Sequence, residues 1–150
     1  MAHKVEIKEN EKLTCDVAFF SNTNCTLDSG YNLKNFKIAY KIFGKLNKNK
    51  NNVILVCHAL SGDQFVAGKN PITNKDGWWT RMVGPNKPID TNKYFVICTN
   101  VLGGCVGSTG PKEINALTNS PFGTDFPSIT IKDMVKVQKY LIDALNIEKI

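Results

Sequence analysis

Two segments of this 150-residue chain carry residue types and spacings that could do chemistry. The first is His58-Ala59-Leu60-Ser61-Gly62-Asp63, directly after the apolar, β-branched run Val53-Ile54-Leu55-Val56-Cys57. Such a run reads as a strand buried on both faces, and ligands collect at the carboxyl ends of strands in open α/β sheets. A histidine, small residues and a glycine at that edge let the chain turn sharply and leave backbone N–H groups facing a crevice. Two such donors would form an oxyanion hole for an acyl-transfer intermediate. The same residues also fit a tight strand-to-loop turn with a hydrogen-bonded histidine. Asp63 has the chemistry of a general base, although a loop carboxylate more often caps or closes a turn. A Cys57–His58 dyad is geometrically poor, because neighbours at a strand end point to opposite faces.

The second segment is Asn100-Val101-Leu102-Gly103-Gly104-Cys105-Val106-Gly107-Ser108-Thr109-Gly110-Pro111. It fails the phosphate-loop pattern, since no Gly-Lys-Ser/Thr follows, and it fails the dinucleotide fingerprint, since no G-x-G begins it. A G-x-S-x-G elbow around Ser108 would need glycine where Val106 stands, so Ser108 is a poor nucleophile. The glycines instead suit close approach of the backbone to a ligand or a neighbouring loop. Trp78-Trp79 could line an apolar pocket or cover the sheet, a core or lid role being the simpler reading.

The elements that must position these loops are partly legible. Phe36–Phe43 alternates apolar and polar residues and ends at Gly44, as a half-buried antiparallel strand does. Val53–Cys57 and Tyr94–Cys98 are two buried strands. Residues 1–35 show only short apolar stretches, such as Val17–Phe20, and a turn at Asp28-Ser29-Gly30. A short helix is expected near Gly77–Val83. The clearest helix begins at Thr130, whose pairing with Asp133 resembles a capping box. Ile131, Met134, Val135, Leu141, Ile142 and Leu145 form its apolar face, and Asn146 stops it. Antiparallel strands followed by buried strands separated by loops and helices indicate an α/β sheet.

Composition narrows the function classes. The chain is 42% hydrophobic and 21% charged, as soluble domains are, and no apolar run reaches the ~20 residues of a membrane span. The start, Met1-Ala2-His3-Lys4-Val5-Glu6, lacks a secretion signal's apolar stretch. A net charge of +6 invites a nucleic-acid reading, but of nineteen basic residues only Arg81 is an arginine. The dense stretch Lys45–Asn52 has no aromatic residue for stacking and reads as a solvated loop. The five cysteines, Cys15, Cys25, Cys57, Cys98 and Cys105, are odd in number and never spaced C-x-x-C. They argue against a disulfide framework and a zinc site, and suit a reducing, cytoplasmic setting.

Taken together, HALSGDQFVAG at 58–68, GWW at 77–79, VGPNKPIDTNKYFVICTNVLGGCVGSTGP at 83–111 and INALTNSPFGTDFPSITIKDMVKVQKYLIDALNI at 114–147 resemble the homoserine O-acetyltransferase family. The resemblance runs in unbroken order over roughly residues 30–150. It implies the N-terminal part of a single α/β-hydrolase domain, in which antiparallel edge strands precede the first parallel strands and a helix. It implies acetyl transfer from acetyl-CoA to the hydroxyl of L-homoserine through an acyl-serine, in methionine biosynthesis. Succinyl-CoA or L-serine as substrates remain alternatives, as does a short non-catalytic binding module. In this family the loop at 58–63 supplies an oxyanion donor, which maps onto the Leu60 backbone N–H. Ser61, Gly62 and Asp63 are expected at the substrate. The family's serine elbow would start just past Ile150, followed by its Asp and His, so the chain alone is expected to be inactive. His58 is then part of the oxyanion motif and not the catalytic histidine. Neither a metal nor a bound cofactor is implied. The expected partners are small molecules and a second copy of the full-length protein, with no nucleic acid and no membrane.

Overall fold

The computed structural model describes residues 4–115 and 118–150. Met1–His3, at the start read above as lacking a signal, and Ala116–Leu117, inside the 114–147 resemblance, lie outside them. In chain order the elements are β1 (Lys4–Asn10), β2 (Cys15–Thr26), β3 (Asn32–Phe43), β4 (Val53–Val56), β5 (Val83–Gly84), β6 (Ile89–Asp90), β7 (Phe95–Thr99), β8 (Ile114–Asn115), β9 (Ser120–Pro121) and α1 (Ile131–Ala144). Five of the strands form one sheet in the order β1-β2-β3-β7-β4. β7 runs antiparallel to β3 and parallel to β4, so the sheet changes character at β7.

Position in the sheet explains burial. All five residues of β7 are buried between its two neighbours. β4 pairs only with β7, so its central Ile54 and Leu55 are half-buried, and Cys57 lies beyond the strand and is exposed. That corrects the expectation of a strand buried on both faces: the outer edge of β4 has no strand against it among the described residues.

The first thirty residues hold more strand than their composition suggests. In β2 the buried positions run Cys15, Val17, then Ala18, Phe20, then Thr23, Cys25. A register shift between Phe20 and Asn24 interrupts the pairing with β3, and Asn22 sits there at φ 55°. The Asn35 side chain accepts the Asn22 N–H at 3.0 Å. A bulge of this kind breaks the period of two that marks a strand in sequence.

α1 starts as its sequence indicates. The Thr130 hydroxyl accepts the Asp133 N–H at 3.2 Å and the Asp133 carboxylate accepts the Thr130 N–H at 2.9 Å, a reciprocal capping box. Asp133 also accepts the Asp28 N–H at 2.9 Å, which ties the helix start to the β2–β3 turn. The apolar face is rotated from the expected one. Val137 and Leu141 are buried and Met134, Ile142 and Leu145 pack partly, whereas Ile131 is 73% and Val135 56% exposed. Each fully buried aliphatic side chain contributes roughly 1.5–3 kcal/mol. Phe20 and Phe36 stack at 4.9 Å between centroids, and Tyr140 meets both edge-on. The helix ends at Asn146 with φ 54°. The Asn146 and Ile147 N–H groups return to the carbonyls of Asp143 and Ile142, a Schellman closure.

No helix forms over 77–83. The N–H groups of Gly77, Trp78 and Trp79 donate to the carbonyls of Gly68, Phe65 and Val66, so this backbone straps down the 65–68 loop and continues in turns. The Lys45–Asn52 stretch is a largely exposed loop organised by its asparagines, with Asn47, Asn51 and Asn52 bonding one another.

Candidate active site

Parallel neighbours deliver their following loops side by side. The carboxyl ends of β4 and β7 therefore bring residues 57–63 against residues 100–106. Between them is a cavity of about 430 Å³ whose walls include His58, Leu60, Val101, Gly104, Ile129 and Met134. Leu60 stands at the loop tip, 101% exposed, and its N–H donates to no described residue. Ser61 is exposed and Gly62 half-buried beside it. A Cβ on Gly62 would lie 2.8 Å from the His58 Cβ, so the turn requires glycine.

The His58 ring bridges the two loops. Its Nδ1 lies 2.7 Å from the Ala59 carbonyl oxygen, and its Nε2 accepts the Val101 N–H at 3.4 Å. The Ala59 oxygen also accepts the Gly62 N–H at 2.8 Å. The bland reading of this histidine, a hydrogen-bonded turn residue, thus holds alongside the loop's place at the crevice.

Asp63 lines the cavity, yet its carboxylate is engaged within its own loop. One oxygen accepts the Phe65 N–H at 2.8 Å and the other the Asn70 side-chain amide at 2.9 Å. Its carbonyl accepts the Trp78 indole N–H at 3.0 Å. The Cys98 thiol also lies against that carbonyl, at 3.6 Å, and burial, with Asp63 and Cys57 nearby, pushes this thiol up to about 12. Trp78 and Trp79 stack with centroids 5.8 Å apart, and Trp78 braces the loop through its bond to Asp63.

The second glycine-rich segment is scaffold. Ser108 is 4% exposed; its hydroxyl accepts the Ala39 N–H at 3.0 Å and donates to the Asn100 carbonyl, leaving no lone nucleophile. A Cβ on Gly104 would fall 2.4 Å from the Asn100 side-chain oxygen, and one on Gly110 2.6 Å from the Gly104 carbonyl. Sequence reasoning missed Asn100, Gln64 and Asn70. Asn100 holds the Val106 N–H, Gln64 donates to the Val106 carbonyl, and Asn70 anchors Asp63. Their signal was an amide residue in each loop, too common to single out. Among the described residues no group of three or more His, Cys, Asp or Glu could hold a metal ion, and no helix is long and apolar enough to cross a membrane.

No protein-family model matches the chain. The homoserine O-acetyltransferase of Nitrobacter hamburgensis is 54% identical over 142 residues, 94% of this chain and 36% of that protein. That of Methanococcus vannielii is 61% identical over 124 residues, 83% of this chain and 25% of that protein. The chain belongs to the homoserine O-acetyltransferase family. It spans about a third or less of the length of these curated relatives. The crystal structure of the homoserine O-acetyltransferase from Bacillus anthracis superposes with a TM-score of 0.76 at 33% identity, covering 97% of this chain and 37% of that one. An esterase crystal structure superposes at 0.78 and 34% identity, covering 99% and 39%. The sheet is accordingly part of an α/β-hydrolase fold, antiparallel strands first and parallel strands after.

Proposed function

We propose that this chain is the N-terminal part of an acyltransferase that moves the acetyl group of acetyl-CoA to the hydroxyl of L-homoserine, in methionine biosynthesis. The observation that carries the reading is Leu60. Its unbonded N–H sits at the carboxyl end of a parallel strand, above a cavity, in a chain akin to homoserine O-acetyltransferases. A serine hydroxyl oxygen attacks the thioester carbonyl, and the Leu60 N–H faces the oxygen that gains charge. The CoA thiol leaves with a proton, and the acyl-serine remains. The homoserine hydroxyl then attacks it, forming the ester and restoring the serine.

Ser108 and His58 are both engaged in hydrogen bonds, in keeping with the family resemblance, which puts serine, Asp and His in the remainder of a longer protein. The unpaired edge of β4 supports this. Leu55, Val135, Ile142, Ile147 and Ile150 line a groove of about 310 Å³ beside it, where a further parallel strand would add and bring a serine before Leu60. Ser61, Gly62 and Asp63, at the same loop, are the residues proposed to contact substrate. The reading carries a homodimeric whole protein and a cytoplasmic setting, in keeping with five free cysteines.

Thioester cleavage dependent on homoserine is expected from the intact protein and absent from the isolated 1–150 chain, which should also bind hydrophobic dyes. Turnover by the isolated chain would overturn the proposed division of the site. Preference of the intact protein for succinyl-CoA or L-serine would reassign the substrates.

A further inference from the structure

The structure assigns His58 a positioning role: as the Nδ1–H tautomer, it holds the Ala59–Leu60 peptide so that the Leu60 N–H faces the crevice. The inference rests on the acyltransferase reading for its purpose, but its geometry stands by itself.

The two ring contacts fix the proton. The Ala59 carbonyl can only accept, so Nδ1 must donate at 2.7 Å. The Val101 N–H can only donate, so Nε2 must be bare. In a planar trans peptide the C=O and the following N–H point in opposite directions, and the described chain has no cis peptide. Drawing the Ala59 oxygen back toward the ring therefore turns the Leu60 N–H outward. Rotating that peptide would break both the Nδ1–H bond and the 2.8 Å bond from the Gly62 N–H. It would also present a carbonyl oxygen where an oxyanion has to sit. Because the same ring accepts from Val101, the donor's position is referenced to the end of β7 as well as to β4. His58 touches no reacting atom in this arrangement; it acts through Leu60.

The test is made on the intact protein. Ring-nitrogen NMR of His58 at neutral pH should show a protonated Nδ1 and a bare Nε2; the opposite tautomer overturns the inference. His58→Gln keeps an acceptor near the Nε2 position but has no donor at Nδ1, whereas His58→Asn restores a donor there. A developing oxyanion is felt only in the transition state, so His58→Gln should lower kcat with KM little changed. The loss should be at least about tenfold and no more than the roughly 10²–10³-fold that removal of one oxyanion donor costs. His58→Asn should recover most of it, with matched thermal melts for all three proteins. An unchanged kcat in His58→Gln, or equal damage in His58→Asn, overturns the role. A wild-type protein with no acyl transfer would instead sink the functional reading, and the tautomer would then decide this inference alone.

Discussion

Replacing Asp63 by asparagine distinguishes its observed place as a loop anchor from its proposed contact with substrate. Both carboxylate oxygens are occupied, one by the Phe65 N–H and one by the Asn70 amide. In Asp63→Asn one oxygen keeps Phe65, and the new NH₂ then faces the NH₂ of Asn70. Asn70 cannot turn its own oxygen round to help, because that oxygen accepts the Ile72 and Thr73 N–H groups at 2.9 and 3.3 Å. One charge-assisted bond is lost and two donors are opposed at a residue only 9% exposed. Hydrogen bonds to charged groups contribute about 1.5–3 kcal/mol. Asp63 is itself half-exposed, so a loss of about 2 kcal/mol is expected, which raises the population of the opened loop by roughly 30-fold. Hydrogen exchange in the intact protein should speed by that order at the Phe65, Ile72 and Thr73 amides. Steady-state assays should find kcat reduced and the KM for homoserine nearly unchanged. Unaltered exchange combined with a raised KM would refute the anchoring argument and return Asp63 to the substrate.

Ser108→Ala removes an acceptor from the Ala39 N–H and a donor from the Asn100 carbonyl, both buried, and should destabilise by about 1–3 kcal/mol. Urea unfolding measures it, and abolished turnover at unchanged stability would make Ser108 catalytic after all. Thiol titration of the folded protein should find Cys57 and Cys105 reacting fast, being exposed. Cys15, Cys25 and Cys98 should be slow, since burial raises each of these thiols; rapid labelling of Cys98 would contradict the packing. Asp28 is held low by the Thr130 hydroxyl and then Lys132, and Asp90 by the Asn92 and Asn86 N–H groups. Their stabilisation is present above the unfolded carboxyl range near about 4 and lost as pH falls through the lower folded values. Asp16, raised by burial and Glu9, works in the opposite sense. Asp28→Asn with Asp90→Asn should flatten the acid limb of stability against pH, and an unchanged slope would disprove it.

What the sequence made legible follows from how local each signal is. The capping box of Thr130 and Asp133 is read within four residues, and it forms as expected. The apolar run at β7 announces itself because a buried strand needs no alternation, and the run at β4 was legible as a strand but not as an edge. β2 was opaque because its bulge at Asn22 shifts the buried face midway, and the period of two disappears. The short helix expected near 77–83 does not form because the segment's first three N–H groups go to carbonyls at 65–68, a tertiary contact no local pattern records. Ile131 and Val135 fit a helical stripe, yet both are exposed, and Val135 lines the groove beside Leu55 of β4 instead of the core. At the site, the glycines do permit close approach, but at Gly104 and Gly110 the neighbours are Asn100 and Gly104 of their own segment instead of a ligand or another loop. The engagement of Asp63 by Asn70, and of Ser108 by Ala39, depended on loops folding back and was not readable in advance.

The strand order has a consequence for synthesis on the ribosome. β4 has one partner in this sheet, β7, which follows it by about 40 residues. At ~5–20 residues per second, roughly 2–8 s pass between the emergence of the two. During that interval Val53–Val56 is an apolar segment with both edges bare, while β1–β3 can already zip into their meander. The hydrophilic Lys/Asn stretch immediately before it is placed as a gatekeeper placed beside an unavoidable sticky strand would be. Nascent chains halted between β4 and β7 should therefore be the ones that chaperones hold longest.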